Sequence, residues 1–240
     1  MQTTLCFDFG NTRLKCAVFE GKKLLDVLVL EDGSPASVEA LLQQFSPART
    51  ILSSVISHDP EVDHLLERSS RFHRLSSAST LPFTTPVGKP ETIGADRLAL
   101  VAGAVHLHPG KHNLVIALGS CITYNFVNNT HQFIGGSISP GLEMRFKSMH
   151  AYTDKLPLVH AHNNFPLVAY DTETNLLSGV ILGMAKEIDG IIDLYTEKYN
   201  FNALLTGGDA AFFAPRLKNK IFAHPYLIYE GLYAISENNA

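Results

Sequence analysis

Apolar and polar positions alternate over short runs at the start of the chain. Three strand-like runs, Thr3–Phe9, 13–20 and Lys23–Leu30, are separated by Gly10-Asn11-Thr12 and by Gly21-Lys22. Short turns between extended runs predict antiparallel hairpins. The period then changes. Ser34-Pro35 is a cap and first-turn signal, and Val38, Leu41, Leu42 and Phe45 form one apolar face of a helix. "TILSSVI" reads as a strand and "PEVDHLLERSS" as a helix. The opening is therefore β-β-β-α-β-α, which is not the βαβ start of a dinucleotide-binding fold.

Residues 80–93, rich in Pro and Thr, read as a loop before a helix over "GADRLALVAGAVHLH" that ends at Pro109-Gly110. The opening pattern then returns. "NLVIALGSCITYNFVNNTHQFIGGSI" gives three strands with a Gly119-Ser120 break and an Asn128-Asn129 turn. Helices are expected at 141–150 and 174–199, a strand at "NALLTGG", and a last helix over "LIYEGLYAISE". Two halves with the same opening predict a duplicated α/β protein, 1–111 and 112–240, with a cleft between the halves. The helix at 174–199 carries Leu176, Leu177, Val180, Ile181, Met184, Ile188, Ile191 and Ile192, more than one core face requires. It is either a subunit interface or a doubly covered core helix.

Composition narrows the class. The 240 residues are 45% apolar and 18% charged, so a sizeable core is expected and disorder is not. A net charge of −4 offers no basic stripe for nucleic acid. The histidines form no HExxH or HxxxH spacing, and His106, His108, His160 and His162 read as surface residues. Cys6, Cys16 and Cys121 make no CxxC pair and read as reduced thiols. No signal peptide and no membrane span is evident, so a cytoplasmic protein is expected.

Asp8 stands at the end of an apolar strand, just before "GNT". It can cap the turn through its side chain. The whole "DFGNT" stretch permits another role. Gly10 lets backbone approach a ligand closely. The amides around Asn11 and the Thr12 hydroxyl can donate to phosphate oxygens, and Lys15 can add positive charge. A carboxylate cannot bind phosphate directly, but Asp8 can do so through Mg²⁺ and its waters.

Asp-x-Gly-x-Thr between hairpin strands resembles the first phosphate motif of the acetate kinase, sugar kinase, Hsc70 and actin superfamily. Further along, "GADR", the segment "GGSISPGLEMRFKSMHAYTDKLP", "DTETNLLSG" and "TGGDA" resemble, in order, the motifs of type III pantothenate kinases. They run from residue 8 to 210. The resemblance implies a duplicated ribonuclease H-like (actin-like ATPase) fold with ATP in the interdomain cleft. It implies transfer of the ATP γ-phosphate to the 4′-hydroxyl of pantothenate, the first step towards coenzyme A. It also implies Mg²⁺ with ATP, a monovalent cation (K⁺ or NH₄⁺), and a homodimer.

By motif, Asp96 would be the general base. Gly94, Ala95, Asp96, Arg97, Thr153 and Thr172 would lie on the pantothenate side. Asp8, Gly10, Asn11, Thr12, Lys15, Gly119, Ser120, Thr123, Gly207 and Gly208 would serve ATP and its phosphates, with Asp209 near the adenosine and Asp8 the Mg²⁺ ligand. Gly135, Gly136, Pro140 and Gly141 fit a loop turning into a helix whose amides, at Gly141 and Leu142, can face an anion. Each residue has a plainer reading: a helix-start Asp at 96, a salt bridge at Arg97, helix caps at Thr153 and Thr172, and turn glycines elsewhere.

Two departures stand out. The family's second phosphate motif opens with a carboxylate, and here Ala117 takes its place in "ALGSCIT", which counts against the monovalent cation site. Val87 stands where a tyrosine is common before the "GADR" helix. The alternative reading is a non-catalytic nucleotide-binding accessory protein of the same fold, with Ala117 as the lesion. Another small-molecule kinase of the superfamily is the third.

Overall fold

The computed structural model describes residues 2–86 and 88–239, so the expectation at Val87 lies outside the described residues. The expected hairpins are present as β1 (Thr3–Phe9), β2 (Leu14–Glu20) and β3 (Lys23–Leu30). α1 (Pro35–Phe45) starts where Ser34 accepts the Ser37 amide at 3.2 Å, with Pro35 in the first turn. β4 (Arg49–Ser54) and α2 (Pro60–Ser69) follow. A short edge strand, β5 (Arg71–Arg74), was not expected, because four half-exposed residues carry little periodic signal.

The first sheet has the order β3-β2-β1-β4-β5. β1 pairs antiparallel with β2 and parallel with β4. The alternation of β1 explains the placement of Asp8. Leu5, Phe7 and Phe9 point into a core with Val38, Leu42, Leu65 and Leu66 of α1 and α2. Thr4, Cys6 and Asp8 occupy the opposite face. Burying each such Phe or Leu contributes about 1.5–3 kcal/mol, enough to hold the strand while it carries a carboxylate on the other side.

That other face is covered by α3 (Ala95–Leu107) and α7 (Leu227–Asn239). α3 is apolar nearly all round and is buried from Leu98 to Val105. The two helices cross closely at Gly103 and Gly231. A Cβ at Gly231 would run into the Ala99 carbonyl, and one at Gly103 into the Leu227 carbonyl. This contact seats the middle of α3 against α7 on that face of the first sheet.

The second set of strands is β6 (His112–Leu118), β7 (Cys121–Val127), β8 (Phe133–Pro140), β9 (Phe201–Thr206) and β10 (Phe222–Ala223). Their sheet has the order β10-β9-β6-β7-β8. Read from β8, this is third, second, first, fourth, fifth, the same order as in the first sheet. The chain is thus a duplicated ribonuclease H-like α/β protein. α4 (Leu142–Ala151), α5 (Thr172–Thr196) and the one-turn α6 (Ala210–Phe213) complete it. Seven of the eight apolar positions of α5 lie in the second core and Ile191 packs against it, so the core accounts for its apolar surplus.

The chain forms two compact units, and neither is continuous in sequence. The first holds the residues up to Gly110, Val127–Gly135 and the segment from Tyr226. The second holds Lys111–Phe126 and Gly136–Pro225. The tip of the β7–β8 hairpin belongs to the first unit because of a short parallel bridge. Thr84 donates to the His131 carbonyl at 3.0 Å, and Phe133 donates to Thr84 at 2.8 Å.

Candidate active site

In the first unit, Asp8 lies at the end of β1 directly opposite Lys15 on β2 and beside Ser53 on β4. The corner between β1 and β2 closes by its own backbone: the Gly10 amide donates to the Arg13 carbonyl at 3.2 Å. Asn11 and Thr12 are exposed at its tip. Lys15 shares the face of Asp8, close enough for its charge to act on the carboxyl.

Asp96 occupies the first turn of α3. Its carboxylate accepts the Arg97 amide and its own amide. Gly94 caps the helix, with the Arg97 and Leu98 amides donating to its carbonyl at 3.0 and 3.1 Å. A Cβ at Gly94 would lie 2.5 Å from Asp96 Oδ1. A glycine there makes room for the carboxylate. Arg97 is half-buried with its guanidinium 5.6 Å from the centre of the Phe133 ring. Phe133 is itself held edge-on by Phe83, and its carbonyl accepts from Thr85 Oγ1 at 3.1 Å.

The electrostatics of this face are lopsided. Burial, and then the negative charge of Asp96, push Asp8 up to about 7, with Lys15 offsetting only part. Burial also raises Asp96, against its two backbone amides and Arg97. Tyr229 of α7 is raised by burial and by the Asp8 carboxylate. Lys15 and Arg97 offset the two carboxylates only in part, and burial leaves both with raised proton affinity. A hard divalent cation, bound through one or two carboxylates with the rest of its shell from water and phosphate, fits that donor set. Among the described residues no cluster of three or more His, Cys, Asp or Glu could hold a metal by itself. Any cation here would be completed by its ligand.

In the second unit, the corner after β6 carries Gly119 and Ser120. The Gly119 amide donates to the Cys121 carbonyl at 3.0 Å, and Gly141 donates to the Ser120 carbonyl at 3.1 Å. Gly207, at φ +98°, turns beside the same strand end, where a side chain would strike the Leu118 backbone. The Asp209 amide donates to the Leu118 carbonyl at 3.1 Å. Gly119, Ser120, Gly141, Gly207 and Gly208 thus gather into one backbone-lined corner.

Three further expected residues, Thr123 for ATP and Thr153 and Thr172 for pantothenate, lie on other elements. Thr123 is buried in β7, where its hydroxyl accepts from Asn125 at 3.1 Å. Thr153 donates to the Met149 carbonyl at 2.7 Å, at the end of α4. Thr172 is exposed at the first position of α5, whose cap is Asp171. Sequence reasoning missed Ser53, Phe133 and Tyr229. The alternation of "TILSSVI" could have put Ser53 on the face away from Leu52. The other two depend on the reach of a hairpin and on the return of the last helix.

A duplicated α/β fold, with a tight glycine corner after the first strand of each sheet and a carboxylate at a helix start, fits an ATP-dependent kinase. The family model for type III pantothenate kinases matches residues 4–194. The type III pantothenate kinase of Christiangramia forsetii is 42% identical over 238 residues, covering 98% of each chain. That of Bacteroides fragilis strain YCH46 is 39% identical over 237 residues, again covering 98% of each. Among solved structures, a Baf family protein from Campylobacter jejuni superposes with a TM-score of 0.59 at 22% identity over 98% of both chains. The ethanolamine utilization protein EutJ from Carboxydothermus hydrogenoformans gives 0.52 at 11% identity, covering 98% of this chain and 90% of that one. These two show the fold alone. The chain belongs to the type III pantothenate kinase family.

Proposed function

We infer that this chain is an ATP-dependent pantothenate kinase, transferring the γ-phosphate to the 4′-hydroxyl in coenzyme A biosynthesis. The observation that carries the assignment of roles is the pairing of Asp8 and Asp96 on one face of the first sheet. Phosphoryl transfer depends mainly on positioning and charge stabilisation. Asp96, fixed by backbone amides at the start of α3, is the general base that takes the hydroxyl proton. Its raised proton affinity suits that task better than an ordinary surface carboxylate. Arg97, whose guanidinium lies 5.6 Å from the centre of the Phe133 ring, offers a planar fork for the pantothenate carboxylate.

Asp8 would hold Mg²⁺ through its carboxylate, and bound Mg²⁺ would neutralise charge on the phosphates. The amides of Gly10, Asn11 and Thr12, with Lys15, would cradle phosphate oxygens. The Gly119-Ser120 and Gly207-Gly208 corner is assigned to the nucleotide. Thr153 and Thr172 are assigned to pantothenate by their place in the family motifs, although Thr153 would first have to release Met149. A homodimer and a cytoplasmic location are proposed on the same basis. No described helix is long and apolar enough to cross a membrane.

The test is ADP release with ATP, Mg²⁺ and pantothenate, with and without K⁺ or NH₄⁺. Pantothenate-dependent turnover is expected. ATP binding with no turnover in either condition would favour the accessory-protein reading instead.

A further inference from the structure

Ser53 is the register neighbour of Asp8 in the parallel β1–β4 pair, so both side chains lie on the face covered by α3 and α7. The residue is fully buried, and its hydroxyl has no hydrogen-bond partner. A buried hydroxyl is ordinarily satisfied, so an orphan beside a functional carboxylate calls for an explanation. Ser53 is held by the ladder to β1, opposite Asp8, while the pairing of β4 with β5 ends one residue earlier, at Leu52. Ser54, the next residue, faces the other way and donates to the Ile56 carbonyl at 2.9 Å. The two serines of "TILSSVI" therefore have different tasks.

We propose that Ser53 is a positioning residue for Asp8: its hydroxyl donates to the Asp8 carboxylate when the metal–nucleotide complex is bound, holding that carboxylate in its ligating orientation. The proposal rests on the kinase reading above. A hydroxyl can rotate to serve an ionised acceptor and remain idle otherwise. It is buried away from solvent, and Asp8 is the ionisable side chain beside it on β1. The second sheet keeps a hydroxyl at the equivalent place, since Thr206 pairs with Ala117 as Ser53 pairs with Asp8.

The experiment is calorimetric titration of the wild-type chain and Ser53→Ala with Mg·ATP, and separately with ATP in chelator, together with thermal melts. Loss of a hydrogen bond to a charged group predicts about a tenfold weaker Mg·ATP affinity in Ser53→Ala. Metal-free ATP binding should change far less. The melting temperature should hold or rise, because an unsatisfied buried hydroxyl is removed. Unchanged Mg·ATP affinity overturns the proposal. So does an equal loss with and without metal accompanied by a lower melting temperature, which marks Ser53 as structural only. Failure of the wild-type chain itself to bind Mg·ATP would instead overturn the kinase reading on which the proposal rests.

Discussion

The two sheets share one topology but differ in chemistry at the sixth position of their first strands. β1 and β6 are both seven residues long with the same order of buried and half-buried positions, and their sixth residues are Asp8 and Ala117. Asp8 is flanked by Lys15 and Ser53, and Asp96 is close enough to raise it. Ala117 pairs with Thr206 and has no carboxylate of its own. The second corner contributes backbone, through Gly119, Gly141 and Gly207. Duplication supplied two equivalent strand ends. In this chain the buried carboxylate stands at the first, and the second is lined by backbone.

Substitutions around the two strand ends test this contrast. The largest effect is expected from Asp96→Asn. Loss of a general base should lower turnover by ~10²–10⁴-fold while ATP affinity is kept. Turnover near the wild-type rate would remove Asp96 from that role. Asp8→Asn comes next, with the Mg²⁺ needed for half-maximal turnover rising by roughly tenfold or more as a charge-assisted contact is lost. An unchanged Mg²⁺ dependence would leave Asp8 a structural residue.

The same variant carries a pH signature. Asp8 binds its proton more tightly in the folded chain than an ordinary aspartate carboxyl near 3.8, with a folded value of about 7. Its contribution to stability is therefore fully present below about pH 4 and lost as pH rises to about 7. Without nucleotide, Asp8→Asn should gain stability relative to wild type between pH 4 and 8, by on the order of a few kcal/mol after solvent screening. Parallel melting curves for the two proteins across that range would contradict the shared-charge account of this face.

Gly94→Ala should be milder. The new methyl group meets Asp96 Oδ1 and displaces it, which predicts a fall in kcat of ~10-fold or more, since small misplacements of reacting groups are costly. Because only a side-chain end has to move, melting should change little. The smallest effect is expected from Ala117→Asp, which restores a carboxylate beside Thr206. A severalfold gain in stimulation by K⁺ or NH₄⁺, read in the same turnover assay, would tie the cation response to this position. No change would place any cation dependence elsewhere.

Much of this arrangement was legible in the sequence because it is local. The turn at Gly10-Asn11-Thr12, the cap at Ser34-Pro35 and the short runs between glycines specify hairpins and helix starts within a few residues. Asp8 and Asp96 were legible because each sits in a short motif. The pairing of Asp8 with Ser53 depends on a parallel register set by a crossover through α1, which periodicity does not encode. Phe133 and Tyr229 reach the first unit from distant segments. The apolar helix α5 read as either interface or core, and only packing decided for the core. β5, β10 and α6 are too short to leave a periodic trace.

Asp8 of β1 and Asp96 of α3 are assigned phosphoryl transfer to pantothenate. This assignment is tested most directly by following label from γ-labelled ATP into pantothenate, with wild type and Asp96→Asn side by side. The account predicts labelled 4′-phosphopantothenate from the wild-type chain and almost none from the variant, with both proteins binding Mg·ATP equally. Equal labelling by the two proteins, or no labelled pantothenate from the wild type, would contradict it.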